Sequence, residues 1–256
     1  MSKNYKGFLI DLDGTMYRGT EKIDEAVEFV KQLNERDLPY LFVTNNSSKT
    51  PEQVATKLVD MGVPTTPQHV FTTSQATANY IADQQKGDAV YVIGEEGIQQ
   101  AITDKGLKLV EEKADFVVIG IDRTITYEKL AQGCLEVRNG ATFISTNGDV
   151  AIPTERGLLP GNGSLTSVIS VSTGVKPTFI GKPESIIVNQ ALDVLGTSKE
   201  DTLLVGDNYD TDILAGIRAD IDTLIVHTGV TTKEHLKTVE IQPTHAVNTL
   251  AEWPFE

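Results

Sequence analysis

Near the start of the chain, two aspartates stand where an apolar segment ends. The stretch FLIDLDGTMY covers residues 8–17, and its first apolar residues run directly into Asp11, with Asp13 two positions later. Two carboxylates held this close together are suited to nucleophilic and acid–base chemistry. Asp-x-Asp-Gly-Thr is also a good turn sequence, so the motif alone leaves both a turn and a reaction centre open.

Other polar residues follow apolar segments in the same way. Thr44 and Asn45 come directly after YLFV, and Asp207 comes directly after LLVG. Lys182 lies in GKP, just beyond TFI, and Asp212 lies five positions after Asp207. Each has a structural explanation when taken singly, such as helix capping, charge in the first turn of a helix, or a solvated lysine. Their common placement after strands favours a shared site.

The elements that must position these residues alternate along the chain. Strands are predicted at Phe8–Leu12, Tyr40–Thr44, Ala89–Ile93, Phe116–Ile121, Thr142–Thr146, Thr178–Ile180, Thr202–Val205 and Thr223–Val226. Helices are predicted at Asp24–Glu35, Pro51–Met61, Tyr127–Arg138 and Pro183–Leu195. Strands that are separated by helices imply right-handed crossovers and a mainly parallel sheet. Ligands bind such sheets at the carboxyl ends of the strands, so we expect the polar residues to meet there.

The middle third of the chain differs from its two flanks. The strands that stop at polar groups lie in the flanks, which predicts that residues 1–79 and 180–256 form one sheet. Residues 80–179 are then predicted to be an inserted α/β segment with its own core.

The chemistry of the expected cluster can be inferred from its residue types. Gathering several aspartates in one crevice is costly unless a cation lies among them, and Mg²⁺ prefers such oxygen ligands. Lys182 would add a positive charge, and Thr44 and Asn45 would donate hydrogen bonds. A metal, a lysine and hydrogen-bond donors together suit phosphoryl transfer.

Composition limits the partners and the location. The chain of 256 residues has a formal net charge of −14, so we expect neither nucleic acid nor an anionic membrane to bind it. It has no apolar run long enough for a membrane span. The single cysteine, Cys134, cannot form an internal disulfide and has the spacing of a buried helix residue. A cytoplasmic location is therefore predicted.

Four motifs in order carry a resemblance to a known family. DLDGT at 11–15, TNNS at 44–47, GKP at 181–183 and GDNYDTDI at 206–213 resemble the motifs of the haloacid dehalogenase (HAD) superfamily. TNNSS, GIDRTITYEKL and the large insertion resemble its NagD family of capped phosphatases. The resemblance implies an α/β fold with a Rossmann-like parallel three-layer sandwich as the core and an inserted α/β cap domain at 80–179.

The same resemblance implies roles for the four aspartates. Asp11 would be the nucleophile, and Asp13 would protonate the leaving oxygen and then accept a proton from water. Mg²⁺ would be held by Asp11, by the backbone carbonyl of Asp13 and by Asp207. Asp212 would orient the metal shell.

The remaining candidate residues are expected to bind the substrate. By resemblance, Thr44 and Asn45 would hold phosphoryl oxygens, and Lys182 would reduce the repulsion between Asp11 and the phosphate. Arg123, in the insertion, is a candidate for binding an anionic group of the substrate, with a structural salt bridge to Asp122 or to a helix end as the alternative.

The predicted function is that of a Mg²⁺-dependent phosphatase acting on small phosphomonoesters through an aspartyl-phosphate. The expected substrates are sugar phosphates, sugar acid phosphates or nucleoside monophosphates. A phosphotransferase or mutase on the same scaffold stays open, as does a non-enzymatic phosphoacceptor switch. The resemblance also leaves a homodimer open, because caps in that family often dimerise.

Overall fold

The structure is a computed structural model that describes residues 3–154 and 156–255. Its strands are β1 (Gly7–Ile10), β2 (Tyr17–Arg18), β3 (Glu21–Lys22), β4 (Tyr40–Thr44), β5 (Val70–Thr72), β6 (Ala89–Ile93), β7 (Lys108–Leu109), β8 (Phe116–Ile119), β9 (Thr142–Ser145), β10 (Ala151–Thr154), β11 (Gly157–Pro160), β12 (Thr178–Phe179), β13 (Thr202–Gly206), β14 (Asp222–Val226) and β15 (His245–Val247). Its α-helices are α1 (Asp24–Glu35), α2 (Pro51–Asp60), α3 (Thr73–Gln84), α4 (Glu96–Asp104), α5 (Tyr127–Arg138), α6 (Asn162–Thr173), α7 (Ser185–Leu195), α8 (Leu214–Ala219) and α9 (Lys233–Leu236). None of the helices in these residues combines the length and the apolar character needed to span a membrane.

The chain divides into two compact units. The first unit comprises the described residues up to Thr44, the segment Glu52–Phe71 and the described residues from Lys182 on. The second unit comprises Asn45–Pro51 and Thr72–Gly181. It therefore takes in more of the chain than the predicted insertion.

Hydrogen bonds explain the larger extent of the second unit. The Thr73 hydroxyl, at the start of α3, donates to the carbonyl of Thr146 at 2.5 Å. The next residue, Ser74, donates to the carbonyl of Ser47 at 3.1 Å. These contacts join α3 and the 45–51 segment to the rest of the unit. Polar contacts of this kind leave no periodic signal in a sequence, so the strand pattern alone does not reveal them.

The first unit is built on a six-stranded sheet with the order β15-β14-β13-β1-β4-β5. Strand β1 pairs in parallel with β13 on one side and with β4 on the other. The strand order therefore reverses at β1, which places the carboxyl end of β1 at the point where open α/β sheets bind ligands.

The residue pattern accounts for this packing. All four residues of β1 (GFLI) are buried, as expected for a central strand that is covered on both faces. Helix α1 buries Ala26, Val27, Val30 and Leu33, the three-to-four spacing that gives a helix one apolar face.

The second unit contains a five-stranded sheet with the order β12-β9-β8-β6-β7, and its pairs are parallel. The hairpin β10–β11 is separate and antiparallel. The core of the unit includes Ile93, Val117, Ile119 and Phe143 from the sheet and Ile169 from α6. Two parallel α/β sheets confirm the predicted fold class, and the arrangement is consistent with a Rossmann-like core that carries an inserted α/β cap.

Candidate active site

The carboxyl ends of β1 and β13 bring three of the predicted aspartates together. Asp11 directly follows β1, and Asp207 directly follows β13. The register is fixed by the pair Ile10↔Val205 and by the amide of Asp11, which donates to the carbonyl of Val205 at 2.9 Å. Oxygens of Asp11, Asp207 and Asp212 lie within 4.8 Å of one another, and all three residues are buried.

Asp212 reaches this cluster from the turn that follows β13. One π-helical turn spans Tyr209–Ile213, and the amide of Asn208 donates to Asp212 Oδ2 at 3.1 Å. A Cβ on Gly206 would collide with the Asp212 side chain. Glycine at this position is therefore required for the aspartate to pack against the end of the strand.

Lys182 is the cation of the cluster. Its side chain is 2% exposed, and Nζ lies 2.5 Å from Asp11 Oδ1, 2.7 Å from Asp212 Oδ1 and 2.9 Å from the carbonyl of Val43. Burial alone would lower the pKa of Lys182, but the charges of Asp11 and Asp212 raise it above its ordinary value. The lysine is thus a permanent positive charge beside Asp11.

The cluster holds more negative charge than this one lysine can neutralise. Burial and the charge of Asp212 raise the pKa of Asp11 well above its ordinary range, although Lys182 opposes them. Burial and the same neighbouring charge raise the pKa of Asp207 to about 7. Three carboxylate ligands with surplus negative charge are the donor set that a hard divalent cation requires. The residues therefore fit the predicted Mg²⁺.

A segment that sequence reasoning missed fixes Asp207. The amide of Val230 donates to Asp207 Oδ2 at 2.7 Å, and the amide of Thr231 donates to the Asp207 carbonyl at 3.1 Å. The Thr228 hydroxyl donates to the carbonyl of Gly14 at 2.7 Å. A Cβ on Gly229 would collide with Asp207. The signal was present, because HTGVTT also follows a buried strand, β14.

Two threonines complete the edge of the sheet. The Thr15 hydroxyl lies 3.4 Å from Asp11 Oδ2 and 3.4 Å from Asp207 Oδ1, so it can donate to either carboxylate. Thr15 lies within the DLDGT motif but was not predicted as a site residue. Thr44, which was predicted, is the buried last residue of β4 and follows Val43, whose carbonyl binds Lys182.

Asp13 differs from Asp11, Asp207 and Asp212, because it remains exposed to solvent. Its carboxylate lies 3.4 Å from the hydroxyl of Tyr17. The protein atoms packed around the carboxyl group raise the pKa of Asp13, and the charge of Lys57 and the Tyr17 hydrogen bond partly oppose this rise. An accessible carboxyl group with a raised pKa is suited to exchanging a proton with a bound molecule.

Two predicted substrate-binding residues belong to the second unit. Asn45 Nδ2 donates to both oxygens of Asp149 at 3.3 Å. Arg123 forms an ion pair with Glu95 at 2.8 Å, while its side chain stays mostly exposed. The salt bridge considered as the alternative for Arg123 is thus present, although its partner is Glu95 rather than Asp122. Substrate contacts of Asn45 and Arg123 stay predictions.

Two family models that match this chain describe hydrolases, and several of its sequence relatives are named as hydrolases. A family model described as haloacid dehalogenase-like hydrolase matches residues 8–108, and a second HAD-hydrolase-like model matches residues 179–253. A 5′-nucleotidase, YutF, from Bacillus subtilis is 68% identical, with 98% of each chain covered. An acid sugar phosphatase from Staphylococcus aureus is 55% identical, with 98% of this chain and 97% of that chain covered.

Solved structures agree with these sequence relatives. A thermostable NPPase from Geobacillus stearothermophilus, solved as a single mutant, superposes with a TM-score of 0.94 at 58% identity, with 100% of each chain covered. A p-nitrophenyl phosphatase from Archaeoglobus fulgidus gives a TM-score of 0.92 at 32% identity, with 98% of each chain covered. The prediction of a phosphoric monoester hydrolase is confirmed at the level of these relatives.

Proposed function

The chain belongs to the haloacid dehalogenase-like hydrolases, as its four motifs predicted, and on that premise we propose that it is a Mg²⁺-dependent phosphatase of small phosphomonoesters. One observation carries this proposal. Asp11 lies at the end of the central strand with Lys182 2.5 Å away and with two further carboxylates within 4.8 Å.

Asp11 is the proposed nucleophile. Its carboxylate oxygen attacks the phosphorus of the substrate, and the bond between phosphorus and the leaving oxygen breaks to give an aspartyl-phosphate. Lys182 contacts the Asp11 carboxylate and reduces the repulsion between that group and the anionic phosphate. Burial of both side chains strengthens this attraction, because little water screens it.

Asp13 is the proposed acid and base. It gives a proton to the leaving oxygen and then takes one from the water that hydrolyses the aspartyl-phosphate. Its exposure supports this assignment, since both the leaving group and the water must reach it. Its raised pKa favours the protonated form, which is the form that can give a proton to the leaving oxygen.

Asp11, Asp207 and the backbone carbonyl of Asp13 are proposed to hold Mg²⁺, with Asp212 fixing the arrangement. When bound there, Mg²⁺ supplies positive charge that offsets the carboxylates and the phosphoryl oxygens. The amide of Val230 donates to Asp207 Oδ2, which leaves Asp207 Oδ1 as the oxygen to face a metal. Thr44 and Asn45 are proposed to donate hydrogen bonds to phosphoryl oxygens.

The proposed substrates are sugar phosphates, sugar acid phosphates and nucleoside monophosphates. The named activities of two close relatives, a 5′-nucleotidase and an acid sugar phosphatase, support both sugar and nucleotide esters. The second unit would act as the cap that selects among them, with Arg123 as a candidate contact for an anionic group. The predicted cytoplasmic location stays a prediction.

Phosphate release from a panel of phosphorylated sugars, sugar acids and nucleotides, with Mg²⁺ or with EDTA, tests the proposal. We expect release that requires the metal and that Asp11→Asn abolishes. Release that Asp11→Asn retains would refute the assigned nucleophile. A phosphorylated acceptor in place of free phosphate would instead identify a transferase.

A further inference from the structure

Tyr17 is a buried side chain that the mechanism above does not use. It opens the hairpin β2–β3, is 4% exposed, and is anchored by its carbonyl, which accepts the amide of Gly14 at 2.7 Å. Its hydroxyl lies 3.4 Å from Asp13 Oδ2. Burial, followed by the charge of Asp13, raises the pKa of Tyr17, so the hydroxyl stays protonated and can donate.

Lys57 of α2 lies over the ring of Tyr17. Its Nζ is 3.4 Å from the ring centroid, and the side chain is partly buried. A cation over an aromatic face is attracted by the ring, which restrains the ring orientation. The charge of Lys57 also acts on Asp13. Tyr17 of β2 and Lys57 of α2 thus both act on the carboxyl group of Asp13, which lies in the loop after β1.

We propose that Tyr17 is a positioning residue for Asp13, and that Lys57 holds Tyr17 in place. The proposal rests on the acid–base role of Asp13 in the proposed function. The Tyr17 hydroxyl binds Oδ2, and this leaves Oδ1 as the oxygen that exchanges protons with the substrate. Without this contact the carboxyl group could rotate, and its proton would be aimed at the leaving oxygen less often.

The proton transfers of the reaction determine which substrates depend on the orientation of the Asp13 carboxyl group. As the phosphorus–oxygen bond breaks, its electron pair stays on the leaving oxygen, which takes the proton from Asp13 Oδ1. Later the water loses its proton to the same Oδ1 as its oxygen attacks the phosphorus, and the bond between phosphorus and the Asp11 oxygen breaks to release phosphate and the free Asp11 carboxylate. An alkoxide leaving group needs that first proton, whereas a nitrophenolate is a stable anion without it.

Tyr17→Phe tests the inference, because it removes one hydroxyl and keeps the buried ring. The quantity to measure is kcat/KM for two alkyl esters, glucose 6-phosphate and uridine 5′-monophosphate, and for p-nitrophenyl phosphate. This parameter reports steps up to phosphoryl transfer. We expect a loss of about tenfold for the alkyl esters and of less than about threefold for the nitrophenyl ester. An equal loss for both ester types, or no loss for either, would overturn the proposal.

Control variants separate this inference from the function on which it rests. Asp13→Asn should show the same selective loss in a larger degree. If Asp13→Asn lacks selectivity, the acid role itself fails, and if only Tyr17→Phe lacks it, the positioning role fails. Tyr127→Phe, a change at an exposed tyrosine of the second unit, should leave all three substrates unaffected.

Lys57 provides an independent test at a partly exposed position, where folding is not at risk. Lys57→Met should give a smaller loss that again falls mainly on the alkyl esters. Lys57→Arg keeps a cation over the ring and should restore the parent ratio. A Lys57→Met variant that matches the parent enzyme for every ester would overturn the part assigned to Lys57.

Discussion

Each unit has a buried aspartate beyond a parallel strand, but the surroundings of these two residues differ. In the second unit Asp122 accepts hydrogen bonds from the amide and hydroxyl of Thr124, both at 2.8 Å, and from Lys129 at 2.6 Å. In the first unit Asp11 shares a single lysine with a second carboxylate. Asp122 therefore has its own donors, whereas Asp11 shares Lys182 with Asp212 and the Thr15 hydroxyl with Asp207.

The pKa shifts follow from this difference. Burial alone would raise the pKa of Asp122, but hydrogen bonds from Lys129 and Thr124 hold it below its ordinary value. The pKa of Asp11 is raised instead, because burial and Asp212 outweigh Lys182. A buried carboxylate with sufficient hydrogen-bond donors stabilises a structure. A buried carboxylate with too few donors can instead bind a cation or react with a phosphate.

The rest of the second sheet edge resembles Asp122 rather than Asp11. Beyond β9, the Ser145 hydroxyl donates to the carbonyl of Asn147 at 2.9 Å, and Asn162 Nδ2 donates to Ser145 at 3.0 Å. Thr166 donates to the carbonyl of Asn162 at 2.8 Å. These neutral groups mostly satisfy one another. The same sheet geometry thus gives a closed polar network in one unit and a charged cluster in the other.

The largest expected contrast is between Asp11→Asn and Asp122→Asn. Asp11→Asn should reduce kcat by on the order of 10⁴-fold, because an amide cannot form the acyl-phosphate. Asp122→Asn should leave kcat within about threefold while lowering the free energy of unfolding by about 1–3 kcal/mol. Steady-state phosphate release and urea unfolding measure the two effects. Similar kcat losses in both variants would show that Asp11 and Asp122 do not differ in their part in catalysis.

The two lysines give the next contrast. Lys182→Met should lower kcat by on the order of 10²-fold, because Asp11 then repels the incoming phosphate without compensation. Lys129→Met removes a cation that is 41% exposed and pairs with one carboxylate, so kcat should stay near the parent value. Phosphate release at saturating substrate distinguishes the variants. A Lys182→Met enzyme with parent kcat would exclude the electrostatic role.

The third expectation concerns pH and the metal-free protein. An unfolded aspartate titrates near pH 4, whereas folding raises the pKa of Asp207 to about 7. Between these values the folded state binds more protons than the unfolded state, so the free energy of unfolding should fall as pH rises. The slope for one such proton is at most about 1.4 kcal/mol per pH unit.

Urea unfolding in EDTA across this pH window measures the slope. Asp207→Asn should make it shallower, with the rest of the slope due to Asp11, whose pKa is also raised. Asp122→Asn should preserve it, because the pKa of Asp122 is shifted downwards and titrates below the window. A flat profile for the parent protein would contradict the charge surplus inferred for the first unit.

The smallest effect is expected for the neutral network of the second unit. Ser145→Ala removes one hydroxyl that joins Asn147, Asn162 and Thr166, and should cost about 1–2 kcal/mol of stability. Neither kcat nor the pH dependence of unfolding should change. Differential scanning calorimetry and phosphate release together check this, and a kcat loss above tenfold would show that the network acts on catalysis.

The sequence was sufficient for the long, regular elements. The predicted Tyr40–Thr44 and Ala89–Ile93 strands and the Asp24–Glu35 and Tyr127–Arg138 helices have the bounds seen in the structure. These segments are long and periodic. The hairpin β10–β11 is not among the predicted strands, because its exposed residues lack the apolar alternation that indicates a strand.

The site residues could be predicted where a charged or polar side chain directly follows a predicted strand. Asp11, Asp207 and Lys182 were identified in this way, and the structure brings them together. The segment HTGVTT could have been found from its place after β14, but its residue types do not indicate the contact of Val230, which uses a backbone amide that every residue except proline possesses. Tyr17 was missed because a tyrosine beside an apolar methionine has the pattern of a core residue.

The position of β1 also sets the order in which this protein can fold. β1 can pair with β4 early, but its pairing with β13 through Gly7↔Thr202 waits for nearly the whole chain. The strands β6, β8 and β9 pair within residues 89–145. Because closing short loops costs less entropy, we expect amides of β8 to gain protection from hydrogen exchange during refolding before the amide of Asp11, which donates to Val205. During synthesis on a ribosome, Asp11 would then be among the first residues made, and its pairing with β13 would be among the last to form.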